Sequence, residues 1–271
     1  MTPGARVSAA LGLLAALDAP GAPPADKLLA DWARSNRYAG AKDRASVAGM
    51  VYGVLRRRGQ IDWWLSRASG EVSPRGRLLL WLQIGDGATL DELEIVFSGK
   101  RYDPEPLSPS EKRVAIELGA QNSFKHSCQP VAVAGNMPSW LEAGLIALYG
   151  ADAPRQLGAH GNEGPVDLRV NTLKADRESA REALASEGVE AEPTPLSPNG
   201  LRLKDRRPLS GTAAFKDGMI EPQDEGSQLA ALLVEAKPGM KIVDFCAGAG
   251  GKTLALAAVM ENTGRIIACD V

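Results

Sequence analysis

The sequence predicts a mixed chain in three parts. These are a helical bundle over residues 1–125, a linker helix with a small α+β module over 126–218, and the opening of an α/β sheet over 219–271. Three observations predict it. Apolar residues recur at helical spacing through the first part, and no alternating segment interrupts them. At Val166 the period drops to two: Val166, Leu168 and Val170 alternate with Asp167, Arg169 and Asn171. Residues 240–245 then form a short apolar run that leads straight into Ala247-Gly248-Ala249-Gly250-Gly251 and a helical stretch, the pattern of a βαβ unit.

In the first part, Val7, Ala10, Leu11, Leu14 and Leu17 share one helical face, which the prolines from Pro20 to Pro24 terminate. Further helices are expected over 25–37 and over 41–58, where Val47, Met50, Val51, Val54 and Leu55 line one side. Trp63, Trp64 and Leu65 belong to the buried side of a fourth helix, and residues 78–84, 90–97 and 111–118 continue the pattern. An amphipathic helix over 140–149 closes at Gly150. In the module, a half-buried strand around 166–170 is followed by a helix capped by Asp176 and stopped by Gly188. Residues from Val189 onward are extended, 193–198 are a loop, and Leu201 and Leu203 alternate again. In the third part a helix over 223–236, the turn Pro238-Gly239 and the strand 240–245 precede the glycines. A helix over 252–260, with Leu254, Ala257 and Ala258 inward, ends at Gly264, and a strand over 265–269 reaches Asp270.

Composition narrows the classes. The 271 residues are 44% hydrophobic and 24% charged, an ordinary globular balance. No run of about 18 apolar residues occurs, so no membrane span is expected; the apolar stretch 7–17 is short and lacks a signal-peptide cleavage pattern. Cys128, Cys246 and Cys269 form no CxxC pair and no disulfide framework, which points to a reducing cytoplasm. With His126 and His160 as the two histidines, no metal site is expected, and a monomer is expected. Lys+Arg against Asp+Glu is 17 to 14 (+3) over 1–135 and 14 to 19 (−5) over 136–271, which neither argues for nucleic acid nor excludes it.

A strand, a glycine turn and a helix N-terminus make a cradle for an anionic or nucleotide-like ligand, because glycine lets the backbone approach and the first helical amides point outward. Gly251-Lys252-Thr253 ends like a P-loop, but Cys246 stands where its first glycine belongs. A GxGxxG dinucleotide loop starting at Gly248 and Gly250 would need glycine at Thr253. S-adenosyl-L-methionine fits best. Asp244 would lie near its amino group, the loop Cys246-Ala247-Gly248-Ala249-Gly250-Gly251-Lys252 against its methionine and ribose, and Asp270, 22 residues after Gly248, at the ribose hydroxyls. A bare helix–strand junction is the alternative without a ligand.

Residues 243–253, Val-Asp-Phe-Cys-Ala-Gly-Ala-Gly-Gly-Lys-Thr, resemble the D-x-C-A-A-P-G-G-K-T motif of RNA cytosine-C5 methyltransferases, in the bacterial Sun (RsmB-type) branch that includes a 16S rRNA enzyme. Gly248-Ala249 replaces the commoner Ala-Pro. Upstream, 223–228 resemble Q-D-x-x-S-Q, and Arg169-Val170-Asn171-Thr172-Leu173-Lys174 resemble R-V-N-x-L-K. Tyr52-Gly53-Val54-Leu55-Arg56-Arg57 with Trp63-Trp64-Leu65 is similar to the NusB-like RNA-binding domain of that branch. The resemblance implies a NusB-like all-α domain, a small α+β module and the start of a Rossmann-like methyltransferase domain. It implies S-adenosyl-L-methionine as cofactor and RNA, specifically 16S rRNA, as partner. It also implies covalent catalysis, in which a thiolate adds to C6 of a flipped-out cytosine and C5 takes the methyl group.

The cysteines of that chemistry belong to Pro-Cys and Thr-Cys-Ser segments, which 1–271 does not contain. No catalytic residue is therefore assigned. Cys246 is expected to touch the cofactor through its backbone, Cys269 to be buried in its strand, and Cys128 to lie in a linker. Two parallel strands leave the sheet incomplete, so this chain alone, as a truncated or frameshifted copy or a fragment, is expected to bind cofactor weakly and not to methylate. The alternative in a different class is a non-catalytic RNA-binding or assembly module. Arg56, Arg57 and Arg58, and the group Lys204, Arg206 and Arg207, are candidate phosphate contacts, with solvated helix-end or turn charge as the plainer reading. For Arg169 and Asn171 the plainer reading is a structural hydrogen bond.

Overall fold

A computed structural model describes residues 1–161 and 163–271 in two compact units, Met1–Glu163 and Gly164–Val271. The side chain of His160, one of the two histidines on which no metal site is expected, lies outside the described residues.

The first unit is helical: α1 Pro3–Leu17, α2 Ala25–Ser35, α3 Ala41–Arg67, α4 Pro74–Leu80, α5 Leu90–Val96, α6 Pro109–Leu118, α7 Val131–Ala134, α8 Glu142–Tyr149 and α9 Ala153–His160. Side-chain caps set many of the starts. Thr2, Ser73, Thr89 and Ser108 each accept a backbone N–H of the first helical turn, and Thr89–Glu92 and Ser108–Glu111 close capping boxes. The core joins Val7 and Leu14 of α1 to Val47, Val51, Val54, Ile61 and Leu65 of α3, with Leu78, Leu80, Leu93 and Phe97.

Two expectations are corrected here. The helices over 41–58 and around Trp63 are one helix, α3. Gly59 does not break it, because the buried stripe continues through Gln60, Ile61 and Trp64, and Asn136 supports the turn from outside. Its side chain accepts the Gly59 N–H at 2.6 Å and donates to Leu55 O at 3.0 Å. The helix expected over 140–149 begins as a 3-10 turn, Ser139–Leu141, and α8 buries none of its residues; Trp140 is 77% exposed. Its apolar residues do not make it amphipathic within this unit.

The second unit runs β1 Asp167–Val170, α10 Arg177–Ser186, β2 Ala191–Pro193, β3 Gly200–Leu203, α11 Ala213–Lys216, β4 Ile220–Pro222, α12 Glu225–Leu232, β5 Lys241–Asp244, α13 Gly251–Val259 and β6 Arg265–Ala268. Strands β1 to β4 form an antiparallel sheet in the order β2-β3-β1-β4. Its apolar core is Leu168, Val170, Leu201, Leu203 and Ile220 against Ala180 and Leu184 of α10. Strand β1 is not half-buried as its alternation predicts: all four residues are buried. Its polar side chains are covered because they are paired, Asp167 with Arg202 at 2.7 Å and Arg169 with Glu221 at 2.5 Å.

Strands β5 and β6 pair in parallel, from Lys241 opposite Arg265 to Asp244 opposite Ala268, and α13 connects them. Ala255, Leu256 and Ala258 are the buried residues of α13. Leu254, expected inward, is 48% exposed, and Ala257 is only half-buried. Among the described residues no helix is long and apolar enough to cross a membrane, and no group of three or more His, Cys, Asp or Glu could hold a metal.

Candidate functional site

The site grows from the end of β5. Asp244 is buried and accepts the Thr253 hydroxyl at 2.6 Å, tying the strand end to the first turn of α13. Beyond it the chain turns on two glycines with left-handed backbone, Gly248 (φ +55) and Gly250 (φ +89), the latter immediately before α13. No neighbour lies within 4 Å of where a side chain would start at either position, so their open faces leave room for a ligand. Cys269 N donates to Asp244 O (2.8 Å) and Ala247 N to Cys269 O (3.0 Å), which extends the parallel pairing into the loop.

Asp270, just past β6, accepts the Gly248 N–H on one oxygen and the Val271 N–H on the other. Those two amides hold its carboxyl below the ordinary 3.8. A carboxyl lowered in the folded state stabilises above its unfolded value, and that contribution is lost as pH falls through the folded value. The Gly248 amide signal is therefore expected to be constant above about pH 4 and to shift in acid, while Asp270→Asn removes the titration.

Six expected cofactor residues, Cys246, Ala247, Gly248, Ala249, Gly251 and Lys252, line one cleft of about 520 Å³, a size suited to a small ligand. Gln223, Asp224, Ser227 and Arg206 line its other side. Gly250 and Asp270 do not line the cleft; they shape the loop from behind. Thr253, which in a P-loop would face a metal-bound phosphate, instead turns its hydroxyl to Asp244. Sequence reasoning missed that bond and the closeness of Gln223 to Gly251, which follow from folding and not from spacing.

The other candidates are dispersed. Cys246 and Cys128 are exposed, and Cys269, expected buried, is half-buried, since β6 has one strand neighbour among the described residues. Arg58 pairs with Asp18 at 3.0 Å and Arg57 donates to Gln60 at 3.4 Å. Lys204 pairs with Glu190 and Glu192 at 3.0 and 3.3 Å, and Arg206 and Arg207 donate to the Gly164 and Gly188 carbonyls. The expected basic group around 204–207 is thus largely engaged within the chain. Asn171 donates to Gly218 O at 3.0 Å, a structural bond.

Residues 137–210 match the family described as "Methyltr_RsmF/B-like, ferredoxin-like domain". The chain is 32% identical over 246 residues to "Probable ribosomal RNA small subunit methyltransferase B" of Bacillus subtilis (strain 168), covering 85% of this chain and 55% of that protein. The chain is a homologue of curated proteins of that name. The corresponding Pseudomonas syringae pv. tomato protein is 33% identical over 134 residues, 49% of this chain and 30% of its own. The chain spans between 30% and 55% of the length of these curated relatives. The crystal structure of PH0851 shares its fold, with a TM-score of 0.64 at 21% identity over 99% of this chain and 63% of that one. The β1–β4 sheet, strand-helix-strand-strand-helix-strand in sequence, has a ferredoxin-like order, and the matched residues 137–210 hold its first three strands.

Proposed function

We propose that this chain provides the cofactor loop and the RNA-facing modules of a cytosine-C5 methyltransferase acting on 16S rRNA, with S-adenosyl-L-methionine as methyl donor. One observation carries the reading: a glycine turn between parallel strands, with its open face on a cleft and an acidic residue from the end of the second strand bonded to its backbone. That arrangement suits a ligand whose tail needs close backbone approach, with Asp270 holding the loop in place from behind. When bound, the cofactor supplies an electrophilic methyl group on its sulfonium. The chain's own part is to hold it: Gly248 and Gly250 permit the approach, Cys246, Ala247, Ala249 and Gly251 form the wall, and Lys252 places a positive charge beside it.

In this reading residues 1–125 are a NusB-like domain that engages RNA, the linker and the β1–β4 sheet through Pro222 an accessory module, and the chain from Gln223 the beginning of a Rossmann-like domain. The motif at 243–253 supports cytosine-C5 chemistry. None of the three cysteines is assigned as nucleophile. The cytoplasm is the proposed location.

Calorimetric titration tests the reading. S-adenosylhomocysteine is expected to bind saturably and ATP not to bind. Asp270→Ala is expected to weaken the nucleoside at least about tenfold, which corresponds to about 1.4 kcal/mol. ATP binding that depends on Lys252, or S-adenosylhomocysteine binding indifferent to Asp270, would overturn it.

A further inference from the structure

Gln223 has one polar group left over, and its surroundings fix where that group points. Its backbone N–H donates to Asp167 O at 3.0 Å, and its carbonyl accepts Gln228 Nε2 at 2.8 Å. Its side-chain oxygen accepts Arg169 Nε at 2.8 Å. Arg169 is itself 5% exposed and held by Glu221 at 2.5 Å. A guanidinium only donates, so the amide oxygen must face Arg169 and the NH₂ must face away from it. That direction is the cleft: Nε2 lies 3.5 Å from where a Cβ on Gly251 would stand. Among the described residues no acceptor meets it. Ser227 and Lys252 line the same cleft, and neither side chain has a hydrogen-bond or ion-pair partner among the described residues. Two carboxylates line the cleft as well: Asp167 is held by Arg202 at 2.7 and 2.9 Å, and Asp224 is answered by the lining cations Lys252 and Arg206.

A donor clamped on three sides, with its last N–H groups facing a cleft that Lys252 also lines, is arranged for an anionic acceptor, to which hydrogen bonds are strongest. We propose that this cleft contains an anion subsite in which Gln223 Nε2 donates to a ligand carboxylate or phosphate oxygen. Lys252 is its charge, and Arg169 is the positioning residue that holds the amide in register. The inference rests on the methyltransferase reading and deepens it. Two sources carry the required oxygen, the amino-acid carboxylate of the cofactor and a phosphate of the RNA strand.

The test uses the full chain, ¹⁵N-labelled, with the Gln223 side-chain amide assigned by its loss in Gln223→Glu. That variant keeps the shape, gives Arg169 a carboxylate to hold, and removes the donor. The probes are S-adenosylhomocysteine, methylthioadenosine (the same nucleoside without a carboxylate) and a short single-stranded RNA. The Gln223 amide is expected to shift with S-adenosylhomocysteine and not with methylthioadenosine if the carboxylate is the source, or with RNA if phosphate is. Gln223→Glu is expected to weaken the responding ligand at least about tenfold, and Arg169→Lys to weaken it less. If a ligand binds, as seen at the Gly248 and Gly250 amides, yet the Gln223 amide is still and Gln223→Glu binds equally well, the subsite is wrong and the methyltransferase reading stands. If none of the three binds, both fall together.

Discussion

Arg77→Met is expected to destabilise the helical unit by about 1.5–3 kcal/mol, the cost of leaving the half-buried Asp62 carboxylate without its charged partner. Arg77 sits on α4 with 7% of its surface exposed and joins three helices. Its Nε donates to Asp62 of α3 at 2.6 Å, its second nitrogen to the same carboxylate at 3.1 Å, and its third to Asp18 at the end of α1 at 2.5 Å. Methionine fills much of the same volume, so the loss is electrostatic and not a cavity. Asp18 keeps Arg58 at 3.0 Å, so the orphaned charge is Asp62. Adding Asp62→Asn should therefore restore part of the lost stability. All five tryptophans, Trp32, Trp63, Trp64, Trp81 and Trp140, lie in Met1–Glu163, so tryptophan fluorescence in urea reports this unit without the other. Arg34→Ala, which breaks the exposed Arg34–Asp31 pair, is the control and should change stability by less than about 1 kcal/mol. A change in Arg77→Met as small as the control's would mean that the buried network contributes nothing beyond packing.

Arg77 also shows what a sequence can and cannot disclose. The helical spacing of Val47, Met50, Val51 and Val54 was readable, because burial leaves a periodic trace. That an arginine between Pro74 and Leu80 joins three helices was not, since its partners lie 15 and 59 residues away. In the second unit, the alternation at 166–170 gave the strand but not its burial, because paired charges are covered while looking solvent-facing. Strand β4, Ile220–Pro222, is too short to alternate, and the sheet cannot be closed in order without it. The glycine loop was the most legible element, since left-handed backbone at Gly248 and Gly250 demands a residue type that stands out in the text. The wall opposite it was not legible: Gln223 faces Gly251 only once β1 and β4 have paired.

Gly264→Ala is expected to unfold the β5–β6 unit locally and to abolish nucleoside binding. Gly264 has φ +119, a conformation that L-residues rarely adopt, and an added Cβ would stand 2.4 Å from Met240 O. That obstacle is backbone and cannot swing aside as the nearby Met260 methyl could. Met240 O also accepts Arg265 N at 2.9 Å, and Gly239 N donates to Thr263 O at 2.8 Å. The turn therefore sets the register that places Asp244 opposite Ala268 and, two residues on, Asp270 beneath Gly248. Strain of this kind costs about 1–3 kcal/mol before the clash is counted. The reserve against it is small, for the core here is Ala236, Leu256 and Met260 with Ile242 and Ile266 partly covered, while Val243, Phe245 and Ile267 are exposed. Hydrogen exchange should quicken at Lys241–Asp244 and Arg265–Ala268 and stay unchanged across β1–β4, whose core is separate. Gly226→Ala, within α12 and with open space around it, is the matched control and should stabilise by about 0.5–1 kcal/mol. Unchanged exchange at β5 and β6 in Gly264→Ala, with S-adenosylhomocysteine affinity intact, would show that the loop does not depend on this register.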